Sequence, residues 1–167
     1  NYIGRTHYAE LYGNWKLNQW EFLIGGDYRF NNTDQSYWST GPFGPYAPPV
    51  LNAKMNQLSP YTSVIYKNNN FNLEFGSRLN IHSEYGNNVS FTFNPSYLVK
   101  SKAKVFVNLY SAFKTPTLYQ LFDQFAGNAG LYPEKGIIGE AGVELFTIKS
   151  FKARLVGFYR NTKDAIV

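Results

Sequence analysis

Apolar and polar residues alternate strictly along much of the chain. The clearest stretch runs from Phe71 to His82, where Phe71, Leu73, Phe75, Leu79 and Ile81 interleave with Asn72, Glu74, Arg78, Asn80 and His82. A period of two puts such sets on opposite faces only if the backbone is a strand. The same pattern recurs over 19–30, with Trp20, Phe22, Ile24, Tyr28 and Phe30 against Glu21, Gly25, Asp27 and Arg29. It recurs again over 89–99, with Val89, Phe91, Phe93, Tyr97 and Val99 against Ser90, Thr92, Asn94 and Ser96. Weaker alternation predicts further strands at 4–15, 58–67, 103–113, 139–146 and 151–160, which makes eight. Most are long. A tilted strand of roughly 9 to 11 residues crosses a bilayer, whereas strands of soluble domains peak near five or six.

The connections alternate in length. Lys16-Leu17-Asn18, Asn68-Asn69-Asn70, Lys100-Ser101-Lys102 and Lys149-Ser150 are tight, while 31–57 and 114–138 are long loops. Short turns at one end and long loops at the other characterise outer-membrane barrels, with the long loops outside the cell. Odd strands then run inward, even strands run outward, and both termini lie outside. Glu10, Glu21, Asp27, Arg29, Glu74 and Arg78 share the polar face, which suits a wet lumen, and Trp15 and Trp20 beside one short turn suit an interfacial girdle. The predicted class is all-β: an antiparallel up-and-down transmembrane β-barrel segment of about eight strands, with short periplasmic turns and long extracellular loops. A soluble antiparallel sandwich is the alternative.

Composition fits this reading. The 167 residues are 44% hydrophobic and 19% aromatic, yet mean hydropathy is −0.35, so apolar residues are diluted and not clustered. No run approaches the roughly 18 apolar residues of a membrane helix, and no signal peptide opens the chain. Zero cysteines remove disulfides, thiolate metal sites and Cys nucleophiles together. The net charge of +5 is spread singly or in turns, so no nucleic-acid partner is expected. The chain reads as one unit, and its start at Asn1 and its extended end at Ile166-Val167 predict that it is cut from something larger.

One segment is more specific. Tyr110-Ser111-Ala112-Phe113-Lys114-Thr115-Pro116-Thr117-Leu118-Tyr119-Gln120-Leu121-Phe122 precedes Gly127-Asn128, Leu131-Tyr132-Pro133-Glu134-Lys135 and Glu140-Ala141-Gly142-Val143-Glu144. Pro116 has no amide donor and is expected to end strand pairing. Residues 117–122 can form a helical turn that tucks Leu118, Leu121 and Phe122 inward, and Pro133 sets the return into the sheet. This series resembles TonB-dependent receptors, in which a strand ending Phe-Lys-x-Pro leads to Gly-Asn, Leu-x-Pro-Glu and Glu-x-Gly-x-Glu in that order. Phe158-Tyr159-Arg160-Asn161, followed by Asp164 and Ile166, extends the resemblance. Gly136 stands where a Ser is usual, and Ala129-Gly130 also departs from the pattern.

The resemblance implies a barrel of about 22 strands when entire, of which this chain is the middle portion, with the plug domain and remaining strands absent. It implies a receptor that captures a scarce nutrient and is opened by the periplasmic partner TonB. The loop motif is most similar to vitamin B12 receptors, with ferric siderophores next. Implied partners are outer-membrane lipid, the plug of the same chain, TonB and the nutrient. The two open strand edges are expected to promote self-association of an isolated fragment. Other classes weighed are a self-contained eight-stranded barrel acting as adhesin or structural protein, and an outer-membrane hydrolase.

No catalytic residue, metal site or cofactor is predicted, and the chain is not expected to be an enzyme: His7 and His82 are isolated and no hydrolase, P-loop or EF-hand motif occurs. Glu140 and Glu144 share a face, where they are expected to be lumen charges and not an acid–base pair. The ligand-binding candidates are extracellular aromatics. Tyr37, Trp38, Phe43 and Tyr46 lie among Gly and Pro in the first long loop, as a ligand surface or as that loop's own core, and Tyr119 and Asn128 join them from the motif-bearing loop.

Overall fold

Side-chain alternation carried over long stretches produces a continuous ladder. The computed structural model describes residues 1–148 and 151–166; the Lys149-Ser150 turn and Val167 lie outside the described residues. The elements are β1 (Tyr2–Leu17), β2 (Trp20–Gln35), β3 (Ser39–Gly41), β4 (Gly44–Tyr46), β5 (Leu51–Lys67), β6 (Phe71–His82), β7 (Gly86–Val99), β8 (Ala103–Lys114), α1 (Leu118–Phe122), β9 (Glu134–Ile148) and β10 (Phe151–Lys163). Eight strands form one antiparallel sheet in the order β1-β2-β5-β6-β7-β8-β9-β10, and β3 and β4 form a separate hairpin. The sheet is open: β1 and β10 lie at its two ends and do not pair.

The predicted strands are all present, but several run further toward the long-loop end. β2 continues to Gln35, β5 begins at Leu51, β7 at Gly86 and β9 at Glu134. In these extensions, such as Leu51-Asn52-Ala53-Lys54-Met55-Asn56-Gln57, the outer positions Asn52, Lys54 and Asn56 are polar, while Leu51, Ala53 and Met55 face inward. Beyond the hydrocarbon band a strand meets water outside as well as inside, so the apolar-out, polar-in sense that marks a membrane strand in the sequence is lost. The 31–57 loop accordingly shrinks to a short hairpin on strand extensions, in which Pro42-Phe43 join β3 to β4 and Gly44 supplies the left-handed backbone at φ 93°.

The tight turns sit where expected. Asn18 (φ 52°), Lys100 (φ 47°) and Ser101 (φ 54°) adopt left-handed backbone. The Asn68 side chain accepts from the amides of Asn70 and Phe71 at 3.0 and 2.8 Å, closing its turn without a glycine. One opposite connection, Ser83-Glu84-Tyr85, is equally short and ends on Gly86 at φ 64°.

Register sorts the faces. Glu10 opposes Asp27, Asp27 opposes Ser59, Tyr61 opposes Arg78, and Arg78 opposes Ser90, so these share one face, here the inner one. Trp20, Phe22, Phe71, Phe75, Leu79, Phe91 and Phe93 share the other. Burial is inverted relative to a soluble sandwich. The buried strand residues are mostly polar and all lie on the inner face: Asp27, Thr33, Ser59, Asn80 and His82, with Met55 and Phe106. On the outer face Leu11 is 82% exposed, Leu155 74% and Val89 60%. A sandwich needs its apolar face covered, so this arrangement excludes it and fits a wall between lipid and a wet lumen.

At the tight-turn end the outer face carries an aromatic row. Trp20 lies 4.7 Å from Tyr66 and 6.2 Å from Phe22, Tyr66 lies 6.2 Å from Phe71, and Phe71 opposes Tyr97. Amphipathic rings collect at the membrane–water interface, which places this end at one bilayer surface. Single cysteines at Phe75, Phe93 and Leu109 are expected to react with a bilayer-confined maleimide, and cysteines at Glu74, Arg78 and Ser90 only with a water-soluble one. Lipid-side labelling at Glu74 and Arg78 would show the faces to be reversed.

Candidate functional site

The inner wall is held by contacts that reach across intervening strands. Arg78 on β6 donates to Asp27 on β2 at 2.5 Å, over β5. Tyr61 on β5 donates to Glu10 on β1 at 2.6 Å, over β2, and Arg78 sits 5.7 Å above the Tyr61 ring. Gly25 makes this possible, because a Cβ there would stand 2.7 Å from both the Tyr61 ring and Tyr12 Cβ. Gly142 plays the same part under Phe106, 2.5 Å from its would-be Cβ, and Arg154 lies 4.8 Å over that ring. Asn80 gathers the neighbouring groups, accepting from Arg78 Nε and Gln57 Nε2 at 3.1 Å each and donating to Ser90 at 3.2 Å.

Above this network, at the long-loop end, lies a pocket of about 500 Å³ whose lining includes Tyr8, Arg29, Met55, Gln57, His82 and Leu118. Arg29 packs its guanidinium 5.7 Å from the Tyr8 ring. Among the described residues it joins no ion pair, whereas Arg5, at the same rim, is matched by Asp34 at 2.9 Å. His82 is buried, and its Nδ1 accepts from the Glu84 amide at 3.1 Å, so a neutral ring carries its proton on Nε2 and is a donor there. The pocket therefore offers one unmatched cation, an imidazole donor and tyrosine hydroxyls.

The roof comes from the motif-bearing loop. β8 ends at Lys114 and Pro116 is fully buried. Thr117 caps α1 through a capping box: its hydroxyl accepts from the Gln120 amide at 3.2 Å, and Gln120 Oε1 accepts from the Thr117 amide at 3.0 Å. Leu118 and Leu121 are each 5% exposed and α1 rests on β2 and β5. This bears out the inward helical turn, with Phe122 only half-buried. The loop is tied to its neighbours by Tyr119 against Tyr2 at 5.4 Å, Phe125 against Tyr37 at 5.1 Å, and the Tyr85 hydroxyl donating to the Leu131 carbonyl at 3.2 Å. Burial, with the Glu84 carboxylate beside it, pushes the Tyr85 hydroxyl's pKa up and keeps it a donor.

The six sequence candidates divide. Tyr37 packs between Tyr46, at 6.3 Å, and Phe125, as part of a loop core. Trp38 and Phe43 stand in solvent, Phe43 wholly so. Tyr119 abuts Tyr2, a lining residue. Asn128 shapes its own loop, accepting from the Gly130 amide at 2.9 Å. None of the six lines the pocket. Arg29, one of several polar-face charges in the sequence, and His82, isolated there, meet in this pocket because β2 and β6 both carry their alternation to the loop end. Glu140 and Glu144 are inner-face charges, Glu140 accepting from Asn108 and Tyr110 at 3.1 and 3.3 Å.

Comparison with known proteins is consistent along the whole length. The profile of the family described as TonB dependent receptor-like, beta-barrel matches residues 1–167. The ferric enterobactin receptor PfeA of Pseudomonas aeruginosa superposes with a TM-score of 0.81 at 20% identity, over 97% of this chain and 27% of its own. The siderophore receptor PirA of Pseudomonas aeruginosa gives 0.73 at 24% identity, over 98% and 33%. The copper transporter OprC gives 0.75 at 13% identity, over 94% and 29%. The chain thus spans about a third or less of these proteins. No curated protein matches it by sequence.

The roof depends on its cap. Thr117→Ala removes the hydroxyl from the box at a cost of about 1 kcal/mol, and is expected to speed proteolytic nicking within 115–133 several-fold while leaving barrel assembly intact. Unchanged nicking would show that Leu118 and Leu121 alone hold the loop.

Proposed function

Because the chain belongs to the TonB-dependent receptor family, whose barrels lie in the outer membrane of Gram-negative bacteria, we propose that it forms wall and mouth of a receptor importing a ferric siderophore. Import would be driven through TonB, and the inner face would enclose a plug domain of the same protein. Family members are receptors and transporters, and the arrangement described is one for binding and passage. The observation that carries the ligand reading is Arg29, a cation without a carboxylate partner among the described residues, in a mouth pocket beside the His82 donor. Oxygen-rich ferric chelates are commonly anionic, and a fixed guanidinium with neutral donors matches them.

PfeA and PirA, named for ferric enterobactin and siderophore, favour the same class. Vitamin B12, which the loop motif favoured, finds no support among these structures. In this reading Trp38, Phe43, Tyr46 and Tyr119 make the first external contact, Tyr37 and Asn128 hold the loops that present them, and Arg29 receives the ligand beneath.

Equilibrium binding by the intact receptor in outer-membrane vesicles tests the proposal. A ferric catecholate siderophore is expected to bind and cyanocobalamin not to. Arg29→Ala is expected to weaken siderophore binding by about ten- to a hundredfold, since a charged hydrogen bond is worth about 1.5–3 kcal/mol. Trp38→Ala or Tyr46→Ala is expected to cost about 1 kcal/mol or more with the heat-modifiable mobility of the barrel unaltered. Cyanocobalamin binding in place of the siderophore would overturn the assignment.

A further inference from the structure

The β9–β10 ladder places two lysines directly opposite each other. Lys135 opposes Lys163 in register, and both are exposed. Counting down from this pair on the same face, Ile137 opposes Asn161, Gly139 opposes Tyr159, and Val143 opposes Leu155, so the lysines belong to the outer, lipid-facing side. Like charges directly opposite on one face repel and destabilise a ladder. Among the described residues no carboxylate pairs with them. Glu134 is turned to the inner face, where Arg160 holds it at 3.5 Å, and Asp164 lies beyond the strand in left-handed backbone (φ 54°). Arg5 and Asp34, on the same outer face and at the same rim of β1 and β2, form a matched pair instead.

Height in the membrane identifies what the pair meets. Leu145, on the outer face near the tight-turn end, and Lys135 bound about ten residues of β9, or about 33 Å of strand. At a tilt of about 40° this is about 25 Å of height, the thickness of the apolar band of an outer-membrane barrel. Exposed Ile137, Tyr159 and Leu155 fill the interval. The two ammonium groups therefore stand at the extracellular rim of the band, at the level of the outer-leaflet headgroups. Their four-carbon stems can lie along the apolar surface while both heads converge on one anion.

We propose that Lys135 and Lys163 form a binding site for the phosphate of an outer-leaflet phosphoglycolipid, whose acyl chains lie on the apolar face below. The ligand is a lipid and not the nutrient: the pair is on the opposite side of the wall from the mouth pocket. The bound phosphate offsets the repulsion written into the β9–β10 register, and it fixes the height of this hairpin in the membrane.

Native mass spectrometry of the intact receptor titrated with lipid A, a bis-phosphorylated glucosamine-disaccharide lipid, tests the site. K135Q/K163Q is expected to weaken binding at least fivefold and K135R/K163R to preserve it. K100Q/K102Q, the same charge change at the opposite rim, is expected to leave it unaltered. K163E, which sets opposite charges across the ladder and so favours the hairpin, is expected to lose the lipid while keeping the heat-modifiable mobility of a folded barrel. Dephosphorylated lipid A is expected to bind wild type and K135Q/K163Q alike, and inorganic phosphate in tenfold excess not to displace lipid A. Equal binding of lipid A by wild type and K135Q/K163Q would overturn the site. Equal loss in K100Q/K102Q would reduce it to unspecific charge, and displacement by inorganic phosphate would make it an anion site and not a lipid one; either outcome defeats the proposal.

Discussion

Every peptide group of a strand that crosses hydrocarbon must find its partner on a neighbouring strand, because lipid offers neither donor nor acceptor. The rest of the chain follows from that requirement. Continuous antiparallel pairing over strands of 12 to 17 residues satisfies it, and the ladder's fixed period of two divides the residues between lipid and lumen. Because the backbone is committed to the ladder, side chains alone decide which face is which. The outer face can be apolar at no desolvation cost, and the inner face is free to carry charge.

That division explains the inverted core. In a soluble sheet, burial of Leu and Phe drives folding; here they are left outward, and the interior is built from Asp27, Ser59, Asn80 and Arg78 with a few rings laid flat on glycines. Such a wall is held by hydrogen bonds that span two or three strands, and each tightens registry among β1, β2, β5 and β6. Asp27 is 2% exposed while its partner Arg78 keeps contact with water. A buried carboxylate of this kind is tolerable only with its cation in place, and removal of one partner from such a pair typically costs about 3–5 kcal/mol.

The spanning portion of the fold was legible in the sequence because lipid on one side and water on the other imposes alternation. Phe71–His82 could be read residue by residue for this reason, and the helical turn after Pro116 could be read from Thr117, Leu118 and Leu121. Legibility ended where the environment became symmetric. Residues 51–57 are strand, yet with water on both faces their alternation runs in the opposite sense, with Asn52, Lys54 and Asn56 outward, and next to Pro48 and Pro49 it resembles loop. The same blindness hid the mouth pocket: Met55 and Gln57 fell within the supposed loop, and His82 looked solitary because Arg29 and Tyr8 come to it only through pairing across three ladders. Exposed aromatics such as Trp38 and Phe43 were conspicuous in the sequence, but conspicuousness measured exposure and not proximity to the cavity.

Charge compensation separates the parts of the inner face that hold from the part that receives. Deep in the wall Asp27 has Arg78 and Glu10 has Tyr61, and toward the tight turns Glu21 lies 3.7 and 3.8 Å from Lys16 and Lys67. Each of these groups is already engaged, so a solute passing over them would have to break an interaction to gain one. At the mouth, Arg29 has its face taken by the Tyr8 ring and, among the described residues, no carboxylate on its donors, as Arg154 over Phe106 also has none. Satisfied charges make a rigid, indifferent lining, and an unsatisfied one makes a place to stop. Under the proposed function, an unmatched guanidinium at the mouth above the engaged charges of Asp27, Glu10 and Glu21 would favour capture of a ligand from outside over its retention along the route inward.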